Sequence, residues 1–265
     1  MIHLKSRSEI DAIAEGGAII GALFAALGER VYPGVTTAEL DAFCEDFIRG
    51  HEGAIPAFQG LYGFPGAVCI SVNEEIVHGI PREDRRLGSG DIVSVDVGVK
   101  LGGWCSDSAW TFPVGEVSDE VADLLRVTRA SLTAAVAAAR PGNHVGDIGA
   151  AVVATVKGSG LGIVRDLVGH GVGREVHEEP QVPNVGEAGY GPALRPGMVL
   201  AIEPMLSLGS DRIRTLSDRW TVVTSDGSRS AHFEHTVAIT AEGPRILTSA
   251  PLEAEAGVES GSTAP

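Results

Sequence analysis

Two strand-like runs, IVSVDVGV (Ile92–Val99) and WCSDSAWTF (Trp104–Phe112), are joined by a short glycine turn around Gly102 and Gly103. Runs of this kind on either side of a glycine turn read as an antiparallel hairpin. With Lys100 opposite Gly103, Asp96 stands directly opposite Asp107, on one face of the ladder and with Cβ atoms roughly 5 Å apart. Two carboxylates at that separation repel, and they hold a shared proton or a cation. A pair of metal ions about 3.5–4 Å apart, bridged by carboxylates, fits the same geometry.

The rest of the chain alternates helical and strand-like blocks. Apolar residues recur at helical spacing from about Ser8 to Arg30, and a capping box from Thr36 to Glu39 opens a second helix that stops before Gly50. A strand near Val68–Val72 precedes the hairpin; an alanine-rich helix then runs from about Ser118 to Arg140, and another begins after Asn143 and fades at Gly158. Strand-like runs return at Met198–Leu206, Trp220–Thr224 and His232–Thr240, the last two joined across Asp226-Gly227. Helices, strands, helices and strands in that order favour α+β over a parallel βαβ fold. One domain over 1–248 is expected, with halves at about 1–115 and 116–248, followed by a disordered acidic tail over 249–265.

The 265 residues carry 20 basic against 35 acidic side chains, a net charge of −15. That balance argues against non-specific binding to nucleic acid or to an anionic membrane. The three cysteines, Cys44, Cys69 and Cys105, show no CxxC spacing, so a reducing cytoplasm is expected. The amino terminus has no signal-type apolar core, and no uninterrupted apolar run of membrane-spanning length occurs.

Three further candidates extend the aspartate pair: His170, Glu203 and Glu234. Four acids and one imidazole suit a hard or borderline divalent cation. A lone strand acid is usually solvated, but Asp96 sits in SVDVG and Glu203 in VLAIEPML, where an unpaired charge would be costly to bury. His170 lies in VGHGVG, whose glycines permit close backbone approach. His177 in VHEEP is not part of an HExxH motif, since Gln181 takes the second histidine's place. His78, in EIVHGIP, is compatible with a site or a surface loop, and Cys69 reads as a small buried hydrophobe.

The stretches VCISVNEEIVHGIP, DIVSVDVGV, WCSDSAWTFPVG, GHGVGREVHEEPQVPN, LRPGMVLAIEPM and RWTVVTSDGSRSAHFEHTVAIT, in this order and spacing, resemble the type I methionine aminopeptidases from about Lys5 to Leu247. The resemblance implies a pita-bread (creatinase-like) fold, with a curved antiparallel sheet, helices on its outer face and two pseudo-symmetric halves. It implies a two-metal enzyme that removes the initiator methionine from nascent chains at the ribosome when the next residue is small. Asp96 matches the family's terminal bidentate ligand, Asp107 and Glu234 the bridging carboxylates, and His170 and Glu203 the ligands completing the other metal site. By the same resemblance a metal-bridging hydroxide attacks the scissile carbonyl with Glu203 as proton shuttle, His177 steadies the oxyanion, and His78 contacts the peptide nitrogen. The ions fit Mn²⁺, Fe²⁺, Co²⁺ or Zn²⁺.

Trp220 and Cys69 correspond to methionine-pocket positions in that family, while Phe58, Leu61, Phe64 and Val176 stand where relatives often carry smaller residues or other aromatics. The intervals from Asp107 to His170 and from His170 to Glu203 leave no room for the helical insertion of type II relatives. The resemblance therefore points to the short form, a cytoplasmic monomer without an amino-terminal extension. Two rivals stand beside it: a proline-specific aminopeptidase or prolidase on the same fold, and a non-catalytic binding module. The intact ligand set weighs against the second.

Overall fold

Four helices form where the local signals are strongest in this computed structural model, which describes residues 1–249; the expected tail beyond Ser249 lies outside the described residues. Helix α1 (Arg7–Leu27) starts at Ser6 and α2 (Thr37–Arg49) at Thr36, each through a reciprocal cap. In α2 the Glu39 N–H donates to Thr36 Oγ1 at 3.1 Å while the Thr36 N–H donates to Glu39 Oε2 at 2.7 Å. The pair satisfies donors that a helix start leaves unpaired. Helices α3 (Asp119–Ala138) and α4 (Val145–Val156) begin behind Ser118 and His144. The helix ends expected at Arg30 and Arg140 shorten to Leu27 and Ala138. By length and composition α1 could cross a membrane, yet 56% of its most apolar window is buried inside the fold.

The hairpin forms from strands Ile92–Leu101 and Trp104–Pro113, but its register differs from the expected one. Leu101 pairs with Trp104, so Gly102 and Gly103 alone make the turn, both with positive φ (57° and 82°). That is the two-residue turn whose twist matches the flanking strands. Asp96 therefore lies opposite Ala109, and Asp107 opposite Gly98. The ladder has moved by an even number of residues, so every side chain keeps its face. The two aspartates become diagonal rather than direct neighbours.

Each hairpin face has its own neighbour. Val93, Val95, Val97 and Val99, with Trp110 and Phe112, join Ile19, Ile20, Leu23 and Phe24 of α1 in the main core. Ser106 Oγ donates to Ile13 O at 2.6 Å, and a Cβ on Gly16 would lie 2.8 Å from Ser106 Oγ, so α1 approaches closely. The opposite face presents Ser94, Asp96, Asp107 and Thr111 to the interior of the molecule. Strands Ile55–Pro56 and Cys69–Val72 extend the hairpin sheet, and Cys69 pairs with Asp96.

The sheets are antiparallel. A five-stranded sheet runs in the order Gly243–Ile246, His235–Thr240, Val199–Ile202, Val168–Gly171, Glu178–Pro183. A three-stranded sheet joins Ser230–His232, Met205–Ser207 and Gly162–Ile163. Two of the expected strands are thus interrupted. The runs Met198–Leu206 and His232–Thr240 both break, at Glu203-Pro204 and at Phe233-Glu234. His235 pairs with Ile202 on one side of the break and His232 with Met205 on the other. Pro204 has no N–H to give the ladder, which accounts for the interruption on its strand. Glu203 and Glu234, expected within strands, sit instead at this shared break. The segments on either side of Asp226-Gly227 do not pair: Val222–Thr224 joins Ile213–Thr215 and Glu75–Val77.

Candidate metal centre

A side-chain seam fixes Glu234 beside the hairpin. Its N–H donates to Ala109 O at 2.9 Å, and Ser108 Oγ donates to Glu234 O at 2.5 Å. Two threonines stand in for the missing ladder bonds. Thr236 Oγ1 accepts from the Asp107 N–H at 3.0 Å and donates to Asp107 O at 2.7 Å. Thr111 Oγ1 does the same for His232, at 2.9 and 2.7 Å. A hydroxyl that both donates and accepts can bridge two backbones in this way.

His170 arrives from Val168–Gly171, the strand between the centre and the edge of the five-stranded sheet, and pairs with Ala201. Its Nδ1 lies 2.9 Å from Gly171 O, so Nδ1–H donates there and Nε2 is left to face the acids. Nε2 is 3.7 Å from Asp107 Oδ2 and 3.6 Å from Glu203 Oε1. Burial, with His177 nearby, pushes its pKa down to about 4 and keeps the imidazole neutral at physiological pH. Ligand atoms of Asp107, His170 and Glu234 fall within 4.8 Å of one another. Asn184 Nδ2 donates to Glu203 O at 3.0 Å and anchors the backbone at the break.

The electrostatics are those of a site built for a cation. Asp96 Oδ1, Asp107 Oδ1 and Glu234 Oε1 are buried without a hydrogen-bond partner. Among the described residues no Lys or Arg pairs with these acids, and their near neighbours are His170 and His232. Burial raises Asp96 to about 7 and Glu203 to about 8, and it drives Asp107 and Glu234 well above the usual carboxylate range. The Asp96 charge adds to the rise at Asp107, and both line one cavity, so the expected carboxylate pair converges despite the changed register. Four acids withdrawn from solvent without a countercharge, Asp107 and Glu234 buried and Asp96 and Glu203 half-buried, are unfavourable, and a divalent cation with oxygen ligands removes that cost. The residues present fit the group.

The acids form the floor of a cavity of about 250 Å³ lined also by Phe58, Leu61, Phe64, Cys69, His78, His177 and Trp220. Phe64 meets Trp220 edge to face at 5.2 Å. His177 stands over His170 with ring centroids 4.4 Å apart, and Tyr62 stacks on it at 6.1 Å. His78 adopts a left-handed backbone (φ 58°), and burial lowers its pKa to about 4 with His232 and His177 as neighbours. Val176, 4% exposed, packs in one apolar cluster with Phe58 and Phe64 and is not among the residues that line the space. Sequence reasoning missed Tyr62, Val77, Leu167 and Val168 in the lining, and His232 at the acids. His232 lies two positions before Glu234, the spacing that shares a strand face, and that was the available signal.

A model of metallopeptidase family M24 matches residues 11–241. The methionine aminopeptidase of Clostridium perfringens is 52% identical over 94% of this chain and 99% of its own length. Methionine aminopeptidase 1 of Bacillus subtilis is 49% identical over the same shares. Among solved structures, the methionine aminopeptidase of Thermotoga maritima superposes with a TM-score of 0.92 at 44% identity, covering 94% of this chain and all of that one (100%). Prolidase from Pyrococcus furiosus gives a TM-score of 0.74 at 26% identity, over 93% of this chain and 65% of its own. The shared architecture is the pita-bread fold, as the sequence resemblance implied. A family match across nearly all of the fold, and relatives about half identical from end to end, place this chain in metallopeptidase family M24, a family of metal-dependent hydrolases.

Proposed function

We propose that this chain is a methionyl aminopeptidase that removes the initiator methionine from nascent proteins whose second residue is small. One observation carries the reading: an oxygen-rich cation site with orphaned buried oxygens forms the floor of an apolar cavity whose wall includes Cys69, Phe64 and Trp220. A thioether side chain suits such a wall. Asp96, Asp107, His170, Glu203 and Glu234 would hold two divalent cations of the Mn, Fe, Co or Zn kind. Cations held there would acidify water toward neutrality and polarise the scissile carbonyl.

The protein's own groups do the remaining work. Glu203 takes a proton from the attacking water and returns it to the leaving amine. His177 donates a hydrogen bond to the developing oxyanion, and His78 contacts the peptide nitrogen at the leaving group. The substrate's free α-amine sits near Asp96, so only a chain end is cut. Residues 1–248 act as one catalytic unit whose halves, about 1–115 and 116–248, meet at the site. The working protein is a cytoplasmic monomer that meets nascent N-termini at the ribosome.

The test is release of free methionine by metal-stripped protein, with Mn²⁺ or Co²⁺ added back. The expected result is metal-dependent release from Met-Ala-Ser and none from Met-Lys-Ser. Faster cleavage of an Xaa-Pro peptide would overturn the reading in favour of a proline-specific hydrolase.

A further inference from the structure

A second imidazole stands at the acids. His232 is 1% exposed, and neither of its ring nitrogens has a hydrogen-bond partner. Its Nε2 lies 3.5 Å from Glu203 Oε2 and 3.9 Å from Glu234 Oε2. The other oxygen of Glu203 faces His170 at 3.6 Å. The Glu203 carboxylate is therefore bracketed, one imidazole to each oxygen.

The backbone of His232 is held on both sides. Thr111 Oγ1 accepts from its N–H at 2.9 Å and donates to its C=O at 2.7 Å, and Ser94 Oγ secures Thr111 at 2.8 Å. On the other side His232 pairs with Met205, two residues beyond Glu203. The ring thus belongs to the same strand break that presents the two glutamates. The compact trio of ligand atoms is Asp107, His170 and Glu234. His232 approaches Glu203 through the oxygen turned away from His170. A lone pair on Nε2 facing two carboxylates would repel both, so Nε2 carries the hydrogen.

We propose that His232 is a positioning residue for the metal centre: on metal binding its Nε2–H closes the present 3.5 Å gap, donates to Glu203 Oε2 and so holds Oε1 toward His170 and the cation. The inference rests on the metal-site reading above. It follows the general pattern in which carboxylate ligands are themselves hydrogen-bonded and lose about 10–100-fold in metal affinity when that partner is removed.

The experiment is a calorimetric titration of metal-stripped full-length protein with Mn²⁺ and with Co²⁺, in the absence of substrate, on wild type, His232→Leu and His232→Gln. Leucine keeps bulk without a donor; glutamine places an N–H near the position of the imidazole Nε2. The expected result is affinity about 10–100-fold weaker in His232→Leu, with a largely restored affinity in His232→Gln. The stoichiometry stays that of wild type, and the Co²⁺ absorption bands keep their intensity. Equal affinity in all three proteins overturns the proposal, as does a glutamine variant as weak as the leucine one. Loss of one bound ion with a changed Co²⁺ spectrum overturns it in another way, by making His232 a ligand. If wild type itself binds neither cation, the metal-site reading falls, and this inference with it.

Discussion

Gly98 sets how wide the cavity can be. It pairs with Asp107, and a Cβ there would lie 2.5 Å from Phe58 Cε1 and 3.0 Å from Ala57 Cβ. Contacts that short force something to move, and Phe58, only 7% exposed, has little room. The bulk of Phe58, a departure from many relatives when read in sequence, is thus accommodated by a missing side chain forty residues away. Gly98→Ala is expected to push the Phe58 ring into the cavity. KM for Met-Ala-Ser should rise several-fold, and stability should fall by about 1–3 kcal/mol, as overpacking usually does. Phe58→Leu in the same background should recover KM. Steady-state kinetics and denaturant melts check this, and an unaltered single variant would show that the ring yields freely.

At the scale of elements, the two-residue turn sets the hairpin register and with it the diagonal placement of Asp96 and Asp107. Both turn residues have positive φ, which glycine adopts freely and Asn tolerates. Gly102→Asn would make the Asn-Gly pair this turn prefers, with open space around the new Cβ. Its stability should be unchanged or raised by up to about 1 kcal/mol, since the unfolded chain loses freedom. Gly103→Val should instead lose about 1–3 kcal/mol, because a β-branched residue resists that backbone. Its Cβ would also come within 3.1 Å of Arg174 Nη1. Urea midpoints separate the two outcomes, and equal losses at both positions would count against this turn assignment.

For the whole molecule, the buried acids couple metal, pH and stability. Asp96 near 7 and Glu203 near 8 lie above the ordinary range of about 4 for an unfolded chain. In metal-free protein the folded state therefore binds more protons than the unfolded state between those limits. The stability these groups contribute is present below about pH 4 and is lost as pH rises through about 8. A bound cation reverses the sign, because it takes the deprotonated carboxylates and competes with protons. The rise in Tm on adding Mn²⁺ should be larger at pH 8 than at pH 6, read by thermal melts of the same stripped sample. An equal or smaller rise at pH 8 would mean that these acids do not titrate together with the metal.

The residues that name the chemistry were legible because their signals are local. Thr36 and Glu39 cap a helix by spacing alone, Gly102-Gly103 demands a turn, and Asp96 and Glu203 stand out as charges inside apolar runs. The five ligand candidates followed from the order of such stretches, and the structure brings all five to one cavity. Tertiary structure alone decided the rest. The expected register erred by an even step, which local sequence cannot detect because it leaves every face unchanged. The paired break at Glu203-Pro204 and Phe233-Glu234 depends on two strands meeting. The threonine seam joins Thr111 to His232 across 121 positions, and Phe58 fits only because Gly98 lies beneath it. A residue's periodicity and caps are written within a few neighbours. What touches it across the fold is set by how whole elements pack, and His232 acquires its place beside Glu203 only there.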